Sequence, residues 1–142
     1  MRWLRDTSGQ ALVESAVIFS LLLTITLGMI DFGFVLKTYA SLITASSAGA
    51  FAASNLLTGG GDVTAAGDWA RTTARAVVAD PAQWRCTDQD GVPKVETAYT
   101  ESVSQGVSKG WVSTTVSCKT HDLTGMFPSL DLQHVTVRQV RQ

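Results

Sequence analysis

The carboxylate of Glu14 has the most unusual setting of any charged group in this sequence. It directly precedes an uncharged stretch, residues 15–30, which consists mostly of Leu, Ile, Val, Phe, Ala and Met. Counted from Gln10, this stretch predicts a helix about 31 Å long, the thickness of the hydrocarbon core of a bilayer. An acidic side chain at the boundary of an apolar helix costs free energy and therefore indicates a functional role. A hydrated carboxylate at headgroup depth is the simpler alternative.

A second acid, Asp31, directly follows the apolar stretch. If Gln10 lies near one membrane surface, Asp31 reaches the opposite one, where an acid costs little. Two interpretations of Asp31 stay open: an interfacial residue, or a residue that packs against a partner. Gly28 and Gly33 flank it, and they either permit a close approach of another helix or loosen this one.

The distribution of basic residues predicts the orientation of the apolar helix. Arg2 and Arg5 precede it, whereas Lys37 is the only basic residue that follows it before Arg71. Basic residues in short flanking segments favour the cytoplasmic side. We therefore expect a single-pass protein with a cytoplasmic N-terminus and an exported C-terminal part.

Two cysteines, Cys86 and Cys118, lie in the part expected to be exported. An even number of cysteines in an oxidising compartment indicates one disulfide, and two unpaired buried thiols are the alternative. Cys118 lies three residues before His121, but the chain has no pair of closely spaced cysteines to complete a zinc site. His121 and Asp122 have no accompanying nucleophile motif. We expect no metal, no cofactor and no enzymatic activity.

Length and charge limit the remaining classes of function. The chain has 142 residues, a net charge of -1 and 16% charged residues. It lacks the basic field that gathers phosphates, so nucleic acid is not an expected partner. After the apolar helix there is room for one small domain, but not for the large cleft of an enzyme.

Three interpretations of the apolar segment compete. A cleaved signal peptide requires a small-residue site such as residues 48–50 or 50–52, far beyond the apolar core. A plain signal anchor treats Glu14 as an ordinary flanking residue. The third interpretation depends on Gly9 and Glu14 together, since Glu14 is the fifth residue after that glycine.

The sequence around Gly9 resembles a known processing site. The stretch GQALVE, residues 9–14, is similar to the cleavage site of type IV pilin-like precursors, in which a short basic leader and a glycine precede a glutamate at the fifth mature position. The longer stretch from Ser8 to Ser54 resembles the TadE-like family of minor pilins, or pseudopilins, of the tight-adherence (Flp) pilus system. It shares with that family the Gly-Ala-Leu-Val-Glu-type start, the apolar run, the glycine-acid-glycine pattern at Gly28, Asp31 and Gly33, and an alanine-rich continuation.

The resemblance implies a function and a set of partners. A prepilin peptidase is expected to cut between Gly9 and Gln10, after which Glu14 meets the terminal amine of a neighbouring subunit during assembly, with Asp31 as a second assembly residue. The implied partners are the membrane, other pilin subunits and the assembly platform of the bacterial inner membrane. The implied role is assembly or initiation of a pilus for adhesion and biofilm formation. The alternative is a membrane-anchored periplasmic binding or envelope domain that never assembles.

The helix is expected to continue beyond the membrane. Residues 38–54 contain no proline and many alanines, so we predict one spine helix over residues 10–55. Small side chains recur on one face of its outer half and allow close packing, either with the chain's own sheet or with a neighbouring chain. They are Ser41, Ala45, Gly49 and Ala53.

The remaining elements complete an α+β fold. A loop with three glycines, 59–61, ends the spine helix, and a second helix follows over residues 64–79, with Ala66, Trp69, Ala70, Thr73 and Val77 on one face. Three β-prone runs, at 95–100, 107–118 and 134–140, predict a small antiparallel sheet, and residues 112–118 and 135–138 alternate as in half-buried strands. The expected organisation is a cleavable leader 1–9, a transmembrane half of the spine helix 10–36, an outer half 37–57 and a periplasmic or extracellular α+β domain 58–142.

Overall fold

The computed structural model describes residues 7–78, 86–87, 93–104, 107–120 and 129–140. The chain divides into two compact units. We call Met1–Phe34 the N-terminal unit and Val35–Gln142 the C-terminal unit. The elements are helix α1 (Thr7–Thr58), helix α2 (Val63–Val77) and strands β1 (Cys86–Thr87), β2 (Lys94–Ser104), β3 (Val107–Thr120) and β4 (Leu130–Val140). The predicted α+β class is confirmed, with a long apolar N-terminal helix, a second helix and an antiparallel sheet.

Helix α1 accommodates its hydroxyl residues without breaking. Ser15 donates to the carbonyl of Ala11 at 2.8 Å, and Thr24 donates to the carbonyl of Ser20 at 2.9 Å. A hydroxyl that binds the carbonyl one turn back needs no partner outside its own helix. These residues therefore do not prevent an apolar environment around the N-terminal unit.

The glycine run forms a specific helix end. Gly60 has a φ of 81°, and its amide donates to the carbonyl of Leu57, while the amide of Gly61 donates to that of Leu56. This hydrogen-bond pattern is the Schellman motif, which favours glycine at the position with positive φ. Asp62 then begins α2 by accepting from the amides of Thr64 and Ala65.

Helix α2 buries a narrower face than the sequence predicted. Ala66, Ala70 and Ala74 are buried, whereas Trp69 is 57% exposed. The prediction that Trp69 lies on the buried face was wrong. The three alanines recur every fourth residue and let α2 approach its neighbours closely, and a tryptophan one position away points about 100° from that row.

Strand β3 is the centre of the sheet. It pairs antiparallel with β2 and β1 on one side and with β4 on the other. Its side chains alternate, and the inward ones are buried: Val112, Thr114, Val116, Cys118 and Thr120. Val112, Val116 and Cys118 belong to two core clusters of the C-terminal unit, together with Leu42 and Ala45 of α1 and the alanines of α2.

The predicted disulfide lies partly outside the described residues. Cys118 is buried in the core. The backbone of Cys86 pairs with Thr120, two residues beyond Cys118. The side chain of Cys86 is outside the described part, so a bridge between Cys86 and Cys118 stays a prediction. His121 and Asp122 also lie outside the described residues.

Candidate functional site

The apolar part of α1 exposes its side chains in all directions. Leu12, Val17 and Phe19 are more than half exposed. In the described chain α1 is the one helix that by length and composition could cross a membrane, and none of its most apolar window is buried. Isolated large apolar side chains on a surface are common, but a continuous apolar helix surface marks a membrane or protein contact.

Glu14 lies on this apolar surface with its carboxylate exposed. Gln10 precedes it by four residues, so the two share one face of the helix. Gly9 and Gln10 both lie within α1, which begins at Thr7. The backbone at the predicted cleavage point is therefore helical in the full-length chain. If the chain were cut there, Gln10 would become the end of the helix, with Glu14 one turn away.

Asp31 has a different environment from Glu14. It is 4% exposed, whereas Glu14 is exposed. The two acids that the sequence suggested for assembly thus differ in solvent exposure. Of the two, Glu14 presents its carboxylate on the surface of the single chain, whereas Asp31 is buried. Near Gly28 and Gly33, a Cβ added to the backbone would meet no atom within 4 Å.

The row of small residues packs inside the C-terminal unit. A Cβ added to Gly49 would lie 3.0 Å from the carbonyl oxygen of Ala70 in α2 and 3.0 Å from the methyl group of Thr114 in β3. Ala45 and Ala53 are buried and belong to the core clusters, whereas Ser41 is half-buried. Within this unit the row therefore faces the chain's own sheet and second helix.

A polar contact between α1 and β4 was missed by sequence reasoning. The hydroxyl of Ser46, fully buried, lies 2.8 Å from Nδ1 of His134 and 2.8 Å from the hydroxyl of Thr136. The ring of Tyr39 meets the ring of His134 edge to face, with 6.0 Å between centroids. Because Ser46 and His134 are 88 residues apart, no local pattern indicates their contact. The buried hydroxyl holds the helix to the strand.

One charged group on β4 also reaches α1. The guanidinium of Arg138 lies over the ring of Phe51, 4.6 Å from its centroid. Such a cation–π contact stabilises modestly at an exposed site. The outer half of α1 is therefore fixed to β4 by a buried hydrogen bond and by an exposed ring contact.

Comparison with protein families finds a match over part of the chain. Residues 9–50 match the family model described as TadE-like protein. No curated protein and no solved structure matches the chain. The matched segment begins at the glycine of the predicted cleavage site and ends in the small-residue part of α1. Residues 9–50 are therefore a TadE-like segment, and the family resemblance suspected from the sequence is confirmed over that range.

Proposed function

We propose that the chain is a TadE-like minor pilin that takes part in assembly or initiation of a tight-adherence pilus, and thereby in adhesion and biofilm formation. The observation that carries the proposal is the TadE-like match over residues 9–50, a segment that starts at Gly9 and contains Glu14 on an exposed apolar helix. The match implies a membrane pilus system, and α1 has the length and composition of a membrane span.

In the proposed mechanism a prepilin peptidase first removes residues 1–9. This step creates a positive amine on Gln10 at the start of α1, in place of a neutral amide. The helix end then carries two positive contributions, the amine and the helix dipole. The N-terminus is proposed to face the cytoplasm and the C-terminal unit to lie in the periplasm, according to the distribution of basic residues.

Glu14 is proposed to pair with the Gln10 amine of a neighbouring subunit. A carboxylate removed from water without a partner costs several kcal/mol, and a paired one costs much less. When apolar helices pack together in the membrane, only a register that brings the amine to Glu14 avoids that cost. The pair therefore selects the alignment between subunits, and the assembly platform of the inner membrane supplies the neighbours.

The test is the number of pili on cells that carry variants of Glu14. Glu14→Ala and the isosteric, uncharged Glu14→Gln should both remain in the membrane fraction but reduce surface pili strongly. Ser15→Ala, which changes an exposed neighbour on the same helix, is the matched control and should give wild-type pili. Wild-type pilus numbers in both Glu14 variants would refute the role.

The alternative function is a membrane-anchored envelope domain that does not assemble. One observation favours it: the C-terminal unit has its own buried core, as an independent binding domain requires. If the chain has this alternative function, pili should be normal whether or not the chain is present. Deletion of the whole chain therefore separates the two functions, because only a pilus subunit leaves a pilus defect.

A further inference from the structure

Among the described residues, the sheet of the C-terminal unit has an edge strand on either side, β2 and β4. Within the described part of the chain, β2 pairs only with β3, and β4 pairs only with β3. Both edge strands have 11 residues. Unpaired N–H and C=O groups along such edges can bind a further strand. Each edge is long enough to pair with a complete strand of another chain.

The charges on the two edges are complementary in sign and spacing. β2 carries Lys94 and Glu101, whereas β4 carries Asp131 and Arg138, and all four are exposed. The two residues of each strand are separated by the same number of positions. If β4 lies parallel to β2 of another copy with Asp131 opposite Lys94, Arg138 therefore falls opposite Glu101. Opposite charges across strands stabilise a pair, and like charges directly opposite destabilise it.

In this alignment the two residues of each charge pair lie on the same face of the sheet. Lys94 and Asp131 alternate with buried-face residues and lie on the face away from the helices, whereas Glu101 and Arg138 lie on the helix face. A slip by one residue would set side chains of opposite faces against each other. The same alignment brings Val135 of β4 opposite a small residue, Ala98 of β2, on the outer face.

We propose that copies of this chain associate head to tail, with β4 of one copy pairing in parallel with β2 of the next. The second copy is the indicated partner because both complementary edges belong to this chain. A parallel contact preserves the charge pairing along both strands, whereas antiparallel pairing of two β4 strands sets the two edges of the same sign pattern against each other in the reverse direction. When β4 of one copy pairs with β2 of the next, the first copy keeps a free β2 edge and the second a free β4 edge. Further copies can therefore add at both ends, and the association forms a row rather than a closed dimer.

Two of these residues, Lys94 and Asp131, form exposed ion pairs within the chain. Lys94 pairs with Glu96 at 2.7 Å and Asp131 with Lys119 at 3.9 Å, and all four side chains are more than half exposed. Arg71 lines a groove at the β2 edge together with Glu96, and its ion pair with Asp68 is also solvent-exposed. Exposed ion pairs contribute little to stability, so a neighbouring strand can replace them.

A photo-crosslinker at position 135 tests the contact in the purified full-length chain, reconstituted in lipid vesicles. With benzoylphenylalanine in place of Val135, we expect crosslinked dimers and higher species whose peptides join position 135 to residues 94–101 of a second copy. The matched control is the same substitution at Val63, which is similarly exposed on α2. Crosslinks from position 135 only to residues 130–140, or none between copies, would overturn the proposal.

Charge reversal tests the alignment. Lys94→Glu and Asp131→Lys should each lower the crosslink yield by about threefold to fivefold, since each sets like charges opposite each other. The double variant should restore the yield, and a double variant as weak as the single ones would exclude this alignment. The contact goes beyond the proposed function, and its test needs no pilus. If the crosslink between β4 and β2 is not found, the Glu14 experiment can still support the proposed function. If the Glu14 variants form normal pili, the crosslink can still show the contact between copies.

Discussion

Ser46 of α1 and His134 of β4 are joined by a hydrogen bond of 2.8 Å at a point where the serine is fully buried. Thr136 shares the same hydroxyl at 2.8 Å. A polar group in a core must be satisfied there, because a lost partner leaves a desolvated donor or acceptor. The contact therefore fixes which residues of β4 lie under α1.

Ser46→Ala should lower the free energy of unfolding of the C-terminal unit by about 1–3 kcal/mol, because it leaves His134 and Thr136 without their buried partner. The measurement is the denaturant-induced unfolding of the full-length chain in detergent. Ser47→Ala is the matched control, since the hydroxyl of Ser47 is exposed and donates to the carbonyl of Thr44 in its own helix. It should change stability by less than about 0.5 kcal/mol. Equal stabilities of the two variants would show that the Ser46 contact is not formed.

Gly49→Val should destabilise the C-terminal unit by about 1–3 kcal/mol, although valine has a higher helix propensity than glycine. The added atoms would press against the backbone of Ala70 and the side chain of Thr114, which lie 3.0 Å from an ideal Cβ. Gly33→Ala provides the control, because nothing lies within 4 Å of its Cβ. The unfolding midpoints of both variants measure the difference. A midpoint for Gly49→Val equal to that of wild type would contradict the close packing of α1 on α2.

Asp62 should make the stability of α2 depend on pH. Hydrogen bonds from the backbone amides of Thr64 and Ala65 lower the pKa of its carboxyl below the ordinary value of about 4. A carboxyl with a lowered pKa in the folded state stabilises when ionised, so its contribution is complete above that ordinary value and is lost as the pH falls through the lowered one.

The comparison with Asp62→Asn isolates this contribution, because asparagine also caps a helix but does not titrate. Unfolding midpoints of both proteins are measured between about pH 7 and pH 2, a window that spans the ordinary carboxyl pKa. Wild type should lose stability relative to the variant in the acidic part of this range. A difference that stays constant with pH would contradict the capping role of the ionised carboxylate.

The bridge between Cys86 and Cys118 remains a prediction with a direct chemical test. The native chain, unfolded without reductant, should not react with a thiol-alkylating reagent, and after reduction it should take up two labels. Cys86→Ser should destabilise the C-terminal unit by about 2–5 kcal/mol if the bridge is present. Two labels without reduction would show that both thiols are unpaired.

Much of the secondary structure was predictable because the signals are local. The helix predicted over residues 10–55 is observed as Thr7–Thr58, since no proline interrupts it and its hydroxyls bind their own backbone. The alternation predicted for 112–118 is seen in β3, whose inward residues there are buried. Glu14 was identified by its contrast with its neighbours, which also needs no tertiary information.

The parts that escaped prediction depend on long-range packing. The contact of Ser46 with His134 joins residues that no periodicity relates, and both residue types are common on surfaces. Trp69 was placed on the apolar face of α2 by helical spacing, but the close approach of α1 and α2 at Gly49 leaves room only for alanines there. The strand edges carry complementary charges that become meaningful only when the sheet order is known.

The central claim, that this chain is processed and assembled as a pilin, is tested most directly by the N-terminus of the protein extracted from membranes of its own cells. Intact-mass and N-terminal peptide measurements on that protein should give a chain that begins at Gln10, because the peptidase is expected to cut after Gly9. A Gly9→Leu variant should block the cut and retain the leader. A native protein that begins at Met1, or at a position between residues 50 and 53, would contradict the account.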